Sequence, residues 1–158
     1  MSRSFYLASR LREVLLSGKW IANTNCLDQI QDLDWQKATR KVHDLNSIAL
    51  LIFHLNYYLG GLLSVLHGGQ LEIKDAYSFD MLPILSEEDW QGMFKTFVQN
   101  AEQFSALVEM LPDDLLDKPF TNEKYGSYMR NIECVIEHSY YHLGQIVLIR
   151  KILESGGM

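Results

Sequence analysis

His138 and His142 lie four residues apart in the stretch IEHSYYHLGQI, residues 136–146. On an α-helix, four residues advance about 6 Å and turn about 40° past a full circle, so both imidazoles leave one face and can hold one ion. Apolar residues at Ile132, Val135, Ile136, Leu143, Ile146 and Leu153 turn that face toward a core, which makes such a site intramolecular and partly dry. This is not the HExxH pattern of zinc proteases, because Ser139 follows His138 where that pattern requires glutamate. A structural zinc site needs about four ligands, and one pair at this spacing among five histidines is weak evidence by itself. What decides is whether another helix supplies a third ligand.

His54 is the candidate. It stands in NSIALLIFHLNYYLGGLL, residues 46–63, with almost no polar side chain near it. A charged imidazole is costly in such surroundings, so His54 is expected to be neutral and either hydrogen-bonded or metal-bound. It falls near the middle of a helix expected from about Asp44 to His67. His138 and His142 fall near the middle of one expected from about Tyr128 to Leu153. Groups at mid-height can meet whether the two helices run parallel or antiparallel. Three neutral nitrogens with positions left open describe a catalytic metal site rather than a structural one.

His54 within NSIALLIFHLNYYLGGLL and His138 and His142 within IEHSYYHLGQIVLIRKIL resemble the DinB-like superfamily of small bacterial four-helix proteins. The resemblance extends over almost the whole chain, including the linker LEIKDAYSFD and the SEEDW that opens the third long helix. It implies that one histidine of the second long helix and two of the fourth hold a divalent metal, positions filled here by His54, His138 and His142. It also implies a bundle in up-down-down-up order, and kinship with thiol-dependent transferases and isomerases.

The elements that would position these residues read as all-α. Phe5, Leu7, Leu11, Val14 and Leu15 trace one side of a first helix ending near Gly18. Residues 19–43 read as a connector with a short helical piece around Leu27 to Leu33. Trp35 is a plug for one end of the bundle, and His43 a solvated boundary residue. The second helix, Ile48 to His67, is about as long as a membrane span. Its His54, Asn56, Gly60, Gly61, Ser64 and His67 favour a central helix buried on most sides. Gly68-Gly69 stops it.

From Gln70 to Leu85 there is no helical period, and this length of chain can recross a bundle about 30 Å long. Ser86 caps the third helix ahead of an acidic first turn. Trp90, Met93, Phe94, Phe97, Ala101, Phe104, Val108 and Leu111 form its core stripe. Leu111-Pro112 ends that helix, and Ser127 caps the fourth. The expected architecture is a single domain over residues 1–158, a four-helix bundle with a long crossover between its second and third helices.

A chain of 158 residues with 47% hydrophobic residues can bury a sizeable core. A net charge of −6 opposes nucleic-acid binding, which needs a basic face. Cys26 and Cys134 form no CxxC, which fits a reducing cytosol. Cys134 is expected to be a packed core thiol, although it shares a helix face with His138 and could instead line a pocket. The N-terminal residues carry Arg3, Arg10, Arg12 and Glu13 and do not resemble a signal peptide.

The expected function is that of a metal-dependent enzyme. By resemblance it is a transferase in which the metal, expected to be nickel or zinc because imidazole suits both, activates a low-molecular-weight thiol for attack on a small electrophile. The alternatives are a hydrolase using metal-activated water, and a stress-related binding or dimeric protein with a vestigial site. Tyr58, Tyr141 and Gln145 are candidates to orient a substrate or a ligand histidine. Glu137 is expected at the surface or behind the ligands, and no catalytic side chain stands out. The expected partners are a small-molecule substrate and a second copy of the chain in a homodimer, with neither nucleic acid nor membrane.

Overall fold

A computed structural model describes residues 1–156. Among the described residues there are six α-helices and no strand. Four of the helices are long: α1 (Arg3–Arg12), which continues into a π-helical turn at Glu13–Ser17, α4 (Ile48–Leu66), α5 (Glu87–Met110) and α6 (Tyr128–Glu154). Two short ones, α2 (Cys26–Ile30) and α3 (Trp35–Thr39), occupy the connector after Gly18. The sequence reading placed only one helical piece there. Asp34 supplies the cap that makes the second, its carboxylate accepting from Lys37 N at 2.8 Å.

Each long helix begins on a serine. Ser2, Ser47, Ser86 and Ser127 turn their hydroxyls back to accept from Phe5 N, Leu50 N, Asp89 N and Arg130 N, satisfying amide groups that a helix start leaves without carbonyl partners. The Ser47 cap shortens the second long helix relative to expectation, since residues 42–45 form a turn ahead of it, closed by Leu45 N–H donating to Val42 O. Ser47 is itself buried. Ser47→Ala should therefore cost about 1 kcal/mol, or roughly 2–4 °C in melting temperature, with helical content retained. Circular-dichroism melts of the two proteins provide the comparison.

Packing joins α1 to α5, α5 to α4, α4 to α6 and α6 back to α1. The stripe on α5 is the centre of the core, with Trp90, Phe97, Ala101, Phe104 and Val108 almost fully buried. Trp90 also ties α5 to the connector, its indole N–H donating to Leu33 O at 2.8 Å. Two arginine forks fasten chain segments to helices: Arg3 on Asp117, and Arg150 on Asp32, with both arms of each fork at 2.8 Å.

Helix α4 is long and apolar enough to cross a membrane by length and composition. Burial accounts for that composition, since Ile48, Leu51, Ile52, Leu55, Leu59, Leu62, Leu63 and Val65 all pack inside the protein. It ends as its sequence suggests. Gly68 takes a φ of +86°, a conformation that favours glycine. The amides of Gly68 and Gly69 return to Val65 O and Ser64 O.

The chain then runs without regular structure, apart from one 3₁₀ turn at Asp75–Tyr77, until α5 begins. This crossover is fastened to α4 rather than merely passing it. Tyr57 Oη donates to Lys74 O and accepts from Lys74 N, both at 2.9 Å, and Tyr58 Oη donates to Asp75 Oδ1 at 2.9 Å. At Gly61 the approach is so close that a Cβ would fall 2.5 Å from Ile73 Cγ2.

Candidate metal centre

α4 and α6 bring the three sequence-predicted histidines together. His138 Nε2 lies 3.1 Å from His54 Nε2 and 2.8 Å from His142 Nε2. One ligand-capable atom from each residue falls within 4.8 Å of the others. His54 and His142 are buried, and His138 is partly open.

The outward-facing nitrogens decide what the inward ones can do. His54 Nδ1 is 3.1 Å from Ser78 O. A carbonyl oxygen only accepts, so Nδ1 must carry the proton and Nε2 must present a lone pair. His142 Nδ1 is 2.6 Å from Gln145 Oε1, which fixes the same tautomer. Two lone pairs thus point at His138 Nε2, which has at most one proton to offer and can give it to only one of them. A divalent cation among the three resolves the conflict, and the donor set suits it: neutral imidazoles oriented by hydrogen bonds from behind.

Nitrogens about 2.1 Å from a tetrahedral ion stand roughly 3.4 Å apart. The two contacts to His138, at 3.1 and 2.8 Å, therefore need to lengthen by only a few tenths of an ångström to admit one.

The environment also keeps the rings neutral. Burial drives His138 down to about 4, helped by the charges its two neighbours would carry. Burial likewise lowers His54 and His142, against the opposing hydrogen bonds to Ser78 and Gln145. The His54 ring is held between aromatic groups, stacked on Phe79 at 4.0 Å between centroids and edge-on to Tyr58 at 5.2 Å.

Ser78 and Phe79 come from the crossover and were missed by sequence reasoning, which had no signal to find them. Gln145 was anticipated as a partner for a ligand histidine. Gln145→Leu leaves the His142 N–H without an acceptor and frees its tautomer. It should weaken metal affinity about 10- to 100-fold without removing a ligand, as competition with a chelating dye would report.

Other candidates separate cleanly. Tyr58 lines a cavity of about 610 Å³ that reaches the cluster at His138. Tyr141 does not line it: 64% exposed, it lies outside with its edge against His142. Glu137 is at the surface, paired with Arg130 at 3.0 Å. His43 is exposed as expected. Cys134 corrects the expectation of a packed core thiol. It is exposed and lines the cavity, because α6 turns its Cys134–His138 edge toward the crossover. Cys26 is the buried thiol, pushed up to about 12 by that burial.

Fold and site together define an all-helical protein with a three-histidine cluster able to hold a metal ion. The chain belongs to the family described as "Protein of unknown function (DUF1572)", whose model it matches over residues 3–157. No curated protein and no solved structure matches it.

Proposed function

We propose that this protein is a metal-dependent enzyme of DinB-like type, a single-domain four-helix bundle in up-down-down-up order with its metal held by His54, His138 and His142. The observation that carries the reading is the convergence of three imidazole nitrogens, two of them fixed as lone-pair donors by Ser78 O and Gln145 Oε1. Such a site supplies Lewis acidity, which favours the anionic form of a thiol or of water near neutral pH.

The chain's own residues set how that chemistry is used. His54 and His142 are buried and oriented, so they anchor. His138 is the ligand on the cavity side, so substrate meets the centre there. Tyr58, hydrogen-bonded to Asp75 and edge-on to His138 at 5.5 Å, fixes the cavity wall beside it. The reaction we assign is transfer of a low-molecular-weight thiol to a small electrophile, on the resemblance of His54, His138 and His142 to that superfamily's ligands. Nickel and zinc are the expected metals, because both suit imidazole.

The test combines elemental analysis with a thiol panel. About one divalent ion per chain is expected, together with faster thiol consumption by the loaded protein than by His142→Ala. Equal rates across the panel in metal-bearing protein would remove the transferase assignment and leave the hydrolase or binding reading. Absence of metal would remove the enzyme reading altogether.

A further inference from the structure

Beyond the metal ligands, a feature still to be explained is the cavity that begins at His138. Its volume of about 610 Å³ lies in the range of pockets that enclose whole small molecules. Its lining is divided in character. Leu62, Leu71, Ile73 and Val135 contribute an apolar wall, while Tyr58 and Asp75 contribute polar atoms near the histidine. Lys74 and Asp75 carry opposite single charges, so the lining selects no strongly charged ligand.

The cavity is built rather than left over from loose packing. One wall belongs to the crossover, and α4 holds that wall at successive points. Tyr57 pairs with both backbone groups of Lys74, Tyr58 holds the Asp75 carboxylate, and Gly61 admits Ile73 to a distance no side chain would allow. These contacts fix an apolar surface opposite Val135 of α6 while keeping the space between them open.

We infer that the cavity takes the apolar body of a small uncharged amphiphile whose single metal-seeking group reaches the ion at His138. The inference rests on the metal reading above and adds the substrate class to it: a molecule recognised by its hydrocarbon as well as by its reactive end.

A series of n-alkyl hydroxamates, from acetyl to octanoyl, separates the two contributions, since the head binds metal and only the tail varies. Calorimetry on zinc-loaded protein should show affinity rising up to about fourfold per added methylene, as expected for burial of each CH₂, until the cavity is full. Leu71→Gln should flatten that rise while leaving acetohydroxamate binding nearly unchanged. A second route needs no substitution. N-ethylmaleimide should label exposed Cys134 and spare buried Cys26, and the labelled protein should lose the gain from the long tails.

Affinity independent of tail length, with zinc bound and acetohydroxamate still binding, overturns the inference and leaves the metal centre standing. A steep length dependence untouched by both Leu71→Gln and the Cys134 label overturns it as well, because the tail then lies elsewhere. Failure to retain zinc removes the metal reading, and this inference with it.

Discussion

Alanine in place of His142 should yield a folded protein that has lost its metal. The apparent affinity of a four-ligand imidazole or thiolate site, about 10–16 kcal/mol, amounts to roughly 3 kcal/mol per ligand, so removing one of three histidines should weaken binding by two to three orders of magnitude. His54→Ala and His138→Ala should do the same. They differ in what else they disturb. His54 is stacked on Phe79 and bonded to Ser78 O, so its loss also loosens the crossover, whereas partly open His138 can be truncated with less damage. Inductively coupled plasma analysis of the purified variants, beside far-ultraviolet circular dichroism, gives the comparison. Parent-like metal content in all three folded variants would mean that these histidines are not the ligands.

How much of this was legible in the sequence depends on the kind of signal each part carries. The long helices were, because Trp90 to Val108 and Ile132 to Ile146 repeat apolar residues at helical spacing, with Ser86 and Ser127 marking the starts of the last two. The pairing of His138 with His142 was legible too, since a helix fixes it locally. The arrival of His54 beside them is a tertiary fact. Sequence offered only its mid-helix height and a resemblance, and the geometry now places its Nε2 3.1 Å from His138 Nε2.

The crossover was read as a span between helices and as part of the resemblance, with no role at the site given to any of its residues. Its segment from Leu71 to Phe79 in fact fixes the tautomer of His54, stacks on its ring and walls the cavity. None of that has a periodicity, because an irregular segment takes its conformation from the surface it lies on. The same limit explains Cys134. Its spacing from His138 placed it on the right face, but whether that face was packed or open depended on where the crossover lay.

Thermal stability should respond to both metal and pH, with a sign set by burial. In metal-free protein His138 titrates at about 4, whereas an unfolded histidine titrates near 6.5. The folded-state value is the depressed one, so the unfolded chain binds more protons between these limits. The stability that comes from keeping His138 neutral is complete above about pH 6.5 and is lost as pH falls toward about 4. His54 and His142 are lowered in the same direction and add to the trend.

Metal adds RT ln(1 + [L]/Kd), about 2.7 kcal/mol at a hundredfold excess over Kd, which for a chain of this size is roughly 5–10 °C. Protons compete for the ligands of the folded protein, so the relevant value is the depressed one. The gap between metal-loaded and metal-free protein should therefore be full at pH 7.5 and close at lower pH than ordinary histidines would give, with His138 protonated only toward about pH 4. Helicity should survive metal removal throughout, because the core around Trp90, Phe97 and Phe104 does not depend on the ion, unlike a zinc finger. Differential scanning calorimetry of both forms across this range reads the outcome. A gap that has already closed at pH 6 would mean the ion is held by solvated histidines with ordinary titration, and not by this buried cluster.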